Sequence, residues 1–355
     1  MSHPTIDEAR LHEFMGQMVG YMTGGALCFG IWLGDELGLY RALAAGGKTA
    51  DALADATGCN PRLVREWADG QVAGNLISFD AETGSYGLSP EAAAALADDT
   101  SPVFVARGMN AFLSISIDHR KIADAFRGSG ALAWGDHHEC LFNGTEWFFR
   151  TGYRAFLPTE WIPALDGGDA KLRSGATVAD IGCGHGASAI VMATAYPNAT
   201  ITGFDYHPSS IDTARKRASD AGVGANTSFE LADAKSYPGR YDLICFFDCL
   251  HDMGDPVGIA AYARDHLNPD GSVMLVEPFA LDDMATNTAS NPMSALFYTV
   301  SSAICTPNSL SQEVGLGLGA QAGEARLRDV LDQAGFSRFT RVAQTPMNLI
   351  LEAKP

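Results

Sequence analysis

Short β-branched apolar runs alternate with stretches of helical periodicity from residue 177 onward. Runs at 177–181, 200–205, 228–232, 241–247 and 272–277 predict strands, and the segments at 187–195, 209–221 and 256–266 predict helices between them. Strand–helix alternation of this kind makes a parallel sheet covered on both faces. The tail breaks the pattern. After a helix at about 323–334, runs at 339–343 and 347–352 are separated only by Gln344-Thr345-Pro346. That is too short for a crossover, so these two strands form an antiparallel hairpin.

Upstream of residue 177 the pattern is helical. Met15, Met18, Val19, Met22, Ala26, Phe29 and Leu33 follow helical spacing and give one broad apolar face. Residues 14–34 carry no charge, a length that could span a bilayer. The glycines, Gln17, Tyr21, Thr23 and acidic flanks argue instead for a face buried against another helix or a second subunit. Residues 35–100 read as short helices with a hairpin. One helix begins at Thr49 and another at Asn60-Pro61, in helix-turn-helix spacing, and 77–80 with 85–88 can form a two-stranded wing. From 101 to 175, Asp118-His119, Trp134, His137-His138, Cys140, Phe142, Trp147 and Tyr153 crowd a stretch whose periodicity is broken by Gly128, Gly130, Gly135 and Gly144. The pattern divides the chain at 1–100, 101–175 and 176–355, with an insertion at 280–320 after the fifth strand of the sheet.

Charge and composition narrow the function. The net charge is −18, and residues 1–100 hold 14 Asp/Glu against 5 Lys/Arg. A surface of that sign opposes nucleic-acid binding, so the helix-turn-helix is read as a dimerisation or closure element before it is read as a DNA reader. Seven cysteines without a repeated CxxC fit reduced thiols and a cytoplasmic setting, and residues 1–8 show no secretory signal. His137, His138 and Cys140 include zinc-ligand types, but adjacent histidines diverge and no second spaced pair completes a set, so no metal site is assigned.

The chemistry concentrates at Asp180-Ile181-Gly182-Cys183-Gly184-His185-Gly186-Ala187. Alternating glycines between a strand and a helix let the backbone turn left-handed and let a ligand lie close, facing the N–H groups of the following helix. The same letters satisfy G-x-G-x-x-A, so a nicotinamide-binding turn is a rival reading. Asp180, Asp205 at the end of the second strand and Asp233-Ala234 after the third place three carboxylates at the rim where open α/β sheets bind ligands.

These motifs together resemble the class I S-adenosylmethionine-dependent methyltransferases, from Thr177 to the end of the chain. The resemblance implies a Rossmann-like α/β sheet of seven strands with an antiparallel C-terminal hairpin, preceded here by a mainly helical winged-helix domain. It implies that Asp180, Gly182, Cys183, Gly184 and Gly186 surround the methionine part of the cofactor. Asp205 would then accept both ribose hydroxyls and Asp233 with Ala234 would contact the adenine edge, with Tyr206 and Phe247 also at the cofactor. S-adenosylhomocysteine is the expected product.

The helical start, with Gly38-Leu39-Tyr40-Arg41-Ala42-Leu43, and the stretch Phe247-Asp248-Cys249-Leu250-His251-Asp252-Met253-Gly254-Asp255 resemble the O-methyltransferases that dimerise through an N-terminal winged-helix domain. By that resemblance His251 removes the acceptor's proton and Asp252 assists, while a second flanking acid would fall near Gln321 or Glu324. His119, Trp134, His138, Trp147, Tyr153 and Tyr298 are the expected pocket residues for a small-molecule acceptor. A homodimer follows as the expected assembly, with no nucleic-acid or membrane partner. A nicotinamide-dependent oxidoreductase, a cofactor-sensing DNA-binding regulator and an enzyme using the sulfonium for non-methyl chemistry remain as alternatives.

Overall fold

The computed structural model describes residues 6–355, so residues 1–5 of the stretch read for a targeting signal lie outside the described residues. The chain forms two compact units, one running to Leu113 and including Asn143–Thr151, the other made of Ser114–Phe142 and Gly152–Pro355.

In the first unit a helix covers Glu8–Glu36, capped by Asp7, whose carboxylate accepts from the Ala9 and Arg10 amides. It contains the charge-free stretch, but no helix among the described residues is long and apolar enough to cross a membrane. Phe14, Met15, Val19 and Met22 are each at least half exposed on it, and the positions above Gly16, Gly20 and Gly24 are open space. Thr49 and Asn60 cap the helices Ala50–Thr57 and Pro61–Ala73 through their side-chain oxygens, as their residue types require. β1 (Ser78–Asp80) and β2 (Ser85–Gly87) pair antiparallel as the wing. Leu39, Tyr40, Leu53, Val64 and Trp67 make the core. Beside it the buried Asp35 carboxylate is held by Arg41 at 3.0 Å and Arg107 at 2.8 Å, the pairing a buried charge needs.

Gly144 does not interrupt the connector. A helix runs through it from Cys140 to Phe156, and a Cβ at 144 would stand 2.0 Å from the Ala111 amide nitrogen. The glycine is there because another backbone crosses against it, a role that local periodicity cannot reveal.

The second unit is built on a seven-stranded sheet. Its strands are β3 (Thr177–Ile181), β4 (Thr200–Asp205), β5 (Thr227–Leu231), β6 (Tyr241–Phe247), β7 (Leu267–Pro278), β8 (Arg338–Gln344) and β9 (Asn348–Lys354), in the order β5-β4-β3-β6-β7-β9-β8. The first five are parallel, and the last two form the expected antiparallel hairpin against β7. Val178, Ile181, Phe204, Ile244, Phe246 and Leu275 are almost wholly buried, as strands covered on both faces must be. Register aligns the strand ends: Ile181 lies opposite Phe204 and Phe246, and Phe247 opposite Val276. The residues just beyond, Gly182, Asp205, Asp248 and Glu277, therefore come to one rim. The 280–320 insertion forms three short helices, Met284–Ser290, Ser294–Ala303 and Cys305–Leu310.

Candidate active site

The glycine turn has the backbone its sequence demands. Gly182, Gly184 and Gly186 take φ of 71°, 52° and 79°, in the region that favours glycine. The amides of Gly182 and Cys183 donate to the Phe204 carbonyl at 2.8 and 3.0 Å, which ties the turn to β4. The three glycines serve different ends. A Cβ on Gly186 would stand 2.6 Å from the Phe229 ring, so this glycine allows packing, whereas nothing lies within 4 Å of a Cβ built on Gly184, so that side is open to a ligand.

Two acids frame the turn. Asp180 is fully buried; its Oδ2 accepts from Ser188 at 2.6 Å, while its Oδ1 is buried with no hydrogen-bond partner. Burial pushes this carboxyl up to about 7, and nearby Asp205 adds to the effect. The Asp205 oxygens accept from the Gly184 amide at 2.9 Å and the His207 amide at 2.8 Å, and burial raises this carboxyl as well. Each oxygen keeps a further lone pair for a ligand. Tyr206 is half exposed beside it, and Asp233 is exposed, with its carboxylate accepting from the Lys235 amide at 2.9 Å. Cys183 is buried under the turn, its thiol raised by burial. The Phe247 ring lies 5.2 Å from that of Tyr153.

The second focus is a short turn after β6. His251 is 4% exposed, and its Nδ1 lies 2.5 Å from Oε2 of Glu277, whose Oε1 accepts from the Leu250 amide at 3.0 Å. Burial disfavours the imidazolium, but the Glu277 carboxylate outweighs it and holds the ring well above the usual histidine range. Nδ1 is engaged by Glu277, and the Cys305 side chain is also hydrogen-bonded to the ring. Burial pushes the neighbouring Asp252 carboxyl up to about 7. The helix Cys305–Leu310 grips this turn: Asn308 donates to the Asp252 carbonyl at 3.1 Å and Ser309 to the Met253 carbonyl at 2.9 Å.

A glycine turn with an orphaned buried carboxylate oxygen and a carboxylate-held histidine thus stand at the same sheet rim. Residues 172–335 match a family described as a methyltransferase domain, and residues 25–98 match one described as an Rv2258c-like winged HTH domain. The chain carries a methyltransferase domain behind a winged helix-turn-helix domain. Among curated relatives, 27-O-demethylrifamycin SV methyltransferase of Amycolatopsis mediterranei is 35% identical over 111 residues, covering 30% of this chain and 40% of that one. The ubiquinone biosynthesis O-methyltransferase of Pectobacterium carotovorum is 33% identical over 28% of this chain and 41% of its own. The chain thus spans about two fifths of the length of these relatives. Among solved structures, human N-acetylserotonin methyltransferase has a TM-score of 0.68 at 20% identity, covering 100% of this chain and 99% of that one. Mitomycin 7-O-methyltransferase has a TM-score of 0.70 at 18% identity, covering 98% and 100%. At these identities the likeness is one of fold.

Within the methyltransferase domain, Glu277 is the site residue that sequence reasoning missed. The second acid was expected near Gln321 or Glu324, but Gln321 is bonded to Asn287 at 2.7 Å and Glu324 pairs with Arg328 and Arg341 at 3.3 and 3.2 Å. Glu277 was detectable in principle: it is an acid ending the apolar run Val273-Met274-Leu275-Val276, and a carboxylate in a buried strand needs a partner.

The expected pocket residues do not gather in one place. Trp134 stacks near Phe142 at 5.5 Å in an apolar cluster with Leu141, Val300 and Ile304, and the Phe142 ring lies 5.0 Å from His207. Tyr153 stands at the β6 end. Tyr298 lines a different cavity of about 630 Å³, with Asp282, Leu310 and Arg326. Trp147 belongs to the other unit, with Arg107 and Arg150 over its ring at 4.2 and 4.5 Å. His119 is exposed and bonds the Ser116 carbonyl at 2.8 Å. His138 accepts from the Cys140 amide at 3.3 Å, while His137 faces Asp118 at 3.3 Å. Among the described residues no group of three or more His, Cys, Asp or Glu is placed to hold a metal ion.

Proposed function

We propose that this chain is an S-adenosylmethionine-dependent O-methyltransferase of a small-molecule acceptor, with His251 as general base. The observation that carries the reading is the 2.5 Å contact between His251 Nδ1 and Glu277, which fixes the ring beside a carboxylate able to stabilise its protonated form. The relatives whose names specify oxygen methylation support the choice of oxygen. The open side of Gly184 and the orphaned Asp180 oxygen suit a ligand carrying an ammonium and a sulfonium.

Bound S-adenosylmethionine supplies an activated methyl on a cationic sulfur. The chain's own residues do the rest. The glycine turn sets the ligand's depth by backbone approach, and Asp180 meets its cationic end. Asp205 offers its remaining lone pairs to paired hydroxyls, with Tyr206, Asp233 and Ala234 beside it at the rim. His251 then accepts the hydroxyl proton, and Glu277 stabilises the resulting imidazolium.

The charge-free face of the helix Glu8–Glu36, open above Gly16, Gly20 and Gly24, supports a homodimer formed through the N-terminal unit. Thermal unfolding with S-adenosylhomocysteine and with reduced nicotinamide cofactors tests the cofactor assignment. At about 100 times its dissociation constant the methylation product adds roughly 2.7 kcal/mol of stability, a shift of several degrees. A shift with nicotinamide cofactors alone would overturn the assignment.

Two further results are expected. Asp205→Ala weakens S-adenosylhomocysteine by roughly 1 to 3 kcal/mol in calorimetric titration, because the ligand's hydroxyls lose a charged acceptor. Unchanged affinity would remove Asp205 from the site. The second concerns pH. Asp180 has a folded-state value raised from 3.8 to about 7, so the empty protein favours its protonated form. Its contribution to stability is greatest below pH 3.8 and is lost as pH rises toward about 7. A ligand ammonium group prefers the carboxylate, so affinity for S-adenosylhomocysteine, which carries one, rises between pH 6 and 8. A flat profile would mean that Asp180 does not face the ligand's charge.

A further inference from the structure

Three helices of the second unit bring apolar side chains to one opening on its surface. Phe126 comes from the helix His119–Arg127, Met284 from Met284–Ser290 and Leu310 from Cys305–Leu310, and the first two are 68% and 67% exposed. They line the cavity of about 630 Å³ that Tyr298 also lines, within the range of roughly 300 to 1,000 Å³ that small-molecule sites occupy. Its walls are tied together. The Leu132 amide donates to the Pro307 carbonyl at 3.0 Å, and Gly130 lets Leu310 lie close, since a Cβ there would stand 2.8 Å from the Leu310 side chain. Leu318 and Ala322, both buried, line its depth.

Charge decides what such a cavity takes. Asp282 and Arg326 are the charged residues of its lining. The Asp282 carboxylate is committed to the start of the helix Gly323–Gln333: its Oδ1 accepts from the Ala325 amide at 2.8 Å, in the first turn, where amides without a helical partner favour an anion. Arg326 has no such commitment. Its Nη1 donates to the Leu318 carbonyl at 3.3 Å, which tethers the guanidinium to the lining, and it forms no ion pair among the described residues. The nearby Glu324 is taken by Arg328 and Arg341. The chain carries 42 Asp and Glu against 24 Lys and Arg, yet none of those acids is placed to neutralise this cation. A guanidinium with most of its donors unused matches a carboxylate through two parallel hydrogen bonds.

We propose that this cavity is a second small-molecule site, which takes an aromatic carboxylic acid, its rings among Phe126, Met284 and Leu310 and its carboxylate on Arg326. The site stands apart from the methyl-transfer centre, because none of Asp180, Asp205, His251, Asp252 and Glu277 lines it. It is joined to that centre through one shared segment. Gly319 lines the cavity, and its amide donates to the His251 carbonyl at 3.0 Å. Thr306 and Pro307 also line it, on the helix whose Asn308 and Ser309 grip the turn after β6. An occupant therefore touches the segment that holds His251.

The test is calorimetric titration of 2-naphthoate, 2-naphthalenemethanol and 2-naphthylmethylamine, which share one ring system and differ in charge. The wild type is expected to bind the acid about fivefold more tightly than the alcohol, with the amine weakest. Arg326→Gln weakens the acid by about fivefold and leaves the alcohol within about twofold. Ser302→Trp, which puts an indole into the cavity from an exposed helical position, weakens acid and alcohol alike by about tenfold. Saturating S-adenosylhomocysteine leaves the affinity for 2-naphthoate within about twofold. No binding of 2-naphthoate at about 10 mM, or equal affinity for the three probes, would overturn the proposal. An amine that binds tightest would do the same, by giving the site to Asp282. Competition between 2-naphthoate and S-adenosylhomocysteine would place the acid in the methyl-transfer centre and so contradict a separate site. The charge series in the wild type decides the matter if a variant does not fold, and it stands whatever becomes of the methyltransferase reading.

Discussion

His251→Ala lowers kcat for methyl transfer by about 100-fold or more while leaving the affinity for S-adenosylhomocysteine within about twofold. The separation follows from geometry. His251 reaches Glu277 and the turn Leu250–Asp252, whereas the glycine turn is held by hydrogen bonds to β4 in which His251 takes no part. The proton of an acceptor hydroxyl must leave as the bond to the methyl forms. Without the imidazole, no group is held in its place to take it. Single-turnover methyl transfer alongside calorimetry checks both halves. Full activity would make His251 a wall of the pocket, and lost cofactor affinity would place it in the binding site instead.

Glu277→Gln has the second large effect, and it appears in the pH profile as well as in the rate. The wild-type ring is held above its ordinary 6.5 because Glu277 favours the imidazolium more than burial disfavours it. The base must be deprotonated to work, so the acid limb of kcat/KM lies above pH 6.5 in the wild type. With glutamine at 277 the main group opposing burial is lost and the limb moves to lower pH. The turnover on the plateau still falls, by about 100-fold, because the imidazolium formed during the reaction loses its counter-charge.

Stability depends on pH through the same group. A histidine raised in the folded state contributes stability that is present below the unfolded value of about 6.5 and lost as pH rises through the folded value. Glu277→Gln removes that contribution, so its loss of stability is greater at pH 6 than at high pH. A rate loss with no movement of the acid limb would contradict the role given to Glu277.

How much of this was legible in the sequence depends on whether the constraint is local. The glycine turn was legible because Gly182, Gly184 and Gly186 meet a backbone requirement within a few residues, and the structure gives all three positive φ. The helix caps Thr49 and Asn60 and the C-terminal hairpin were legible for the same reason. Asp180 and Asp205 followed from the strand ends, since parallel strands bring their carboxyl ends together whatever the loops do.

What could not be read was pairing between distant segments. Glu277 is 26 positions from His251 in the chain, and only the parallel register of β6 with β7 makes them neighbours. Asp248 bonds Tyr153 and Asn348, 95 and 100 positions away. Gly144 looked like a helix breaker because the Ala111 backbone that requires it lies in another helix. The aromatic residues were the hardest to place. Trp134, Trp147, Tyr153 and Tyr298 share a residue character, but the fold sends them to an apolar cluster, another unit, the β6 end and a separate cavity.

The measurement that tests the central claim most directly is transfer of an isotopically labelled methyl from S-adenosylmethionine to a panel of small hydroxylated acceptors, read by mass spectrometry of acceptor and cofactor together. The account predicts that at least one acceptor gains a single labelled methyl on oxygen, with S-adenosylhomocysteine formed in equal amount and both signals lost in His251→Ala. Label arriving on nitrogen or sulfur alone, or transfer that persists undiminished in His251→Ala, would contradict it.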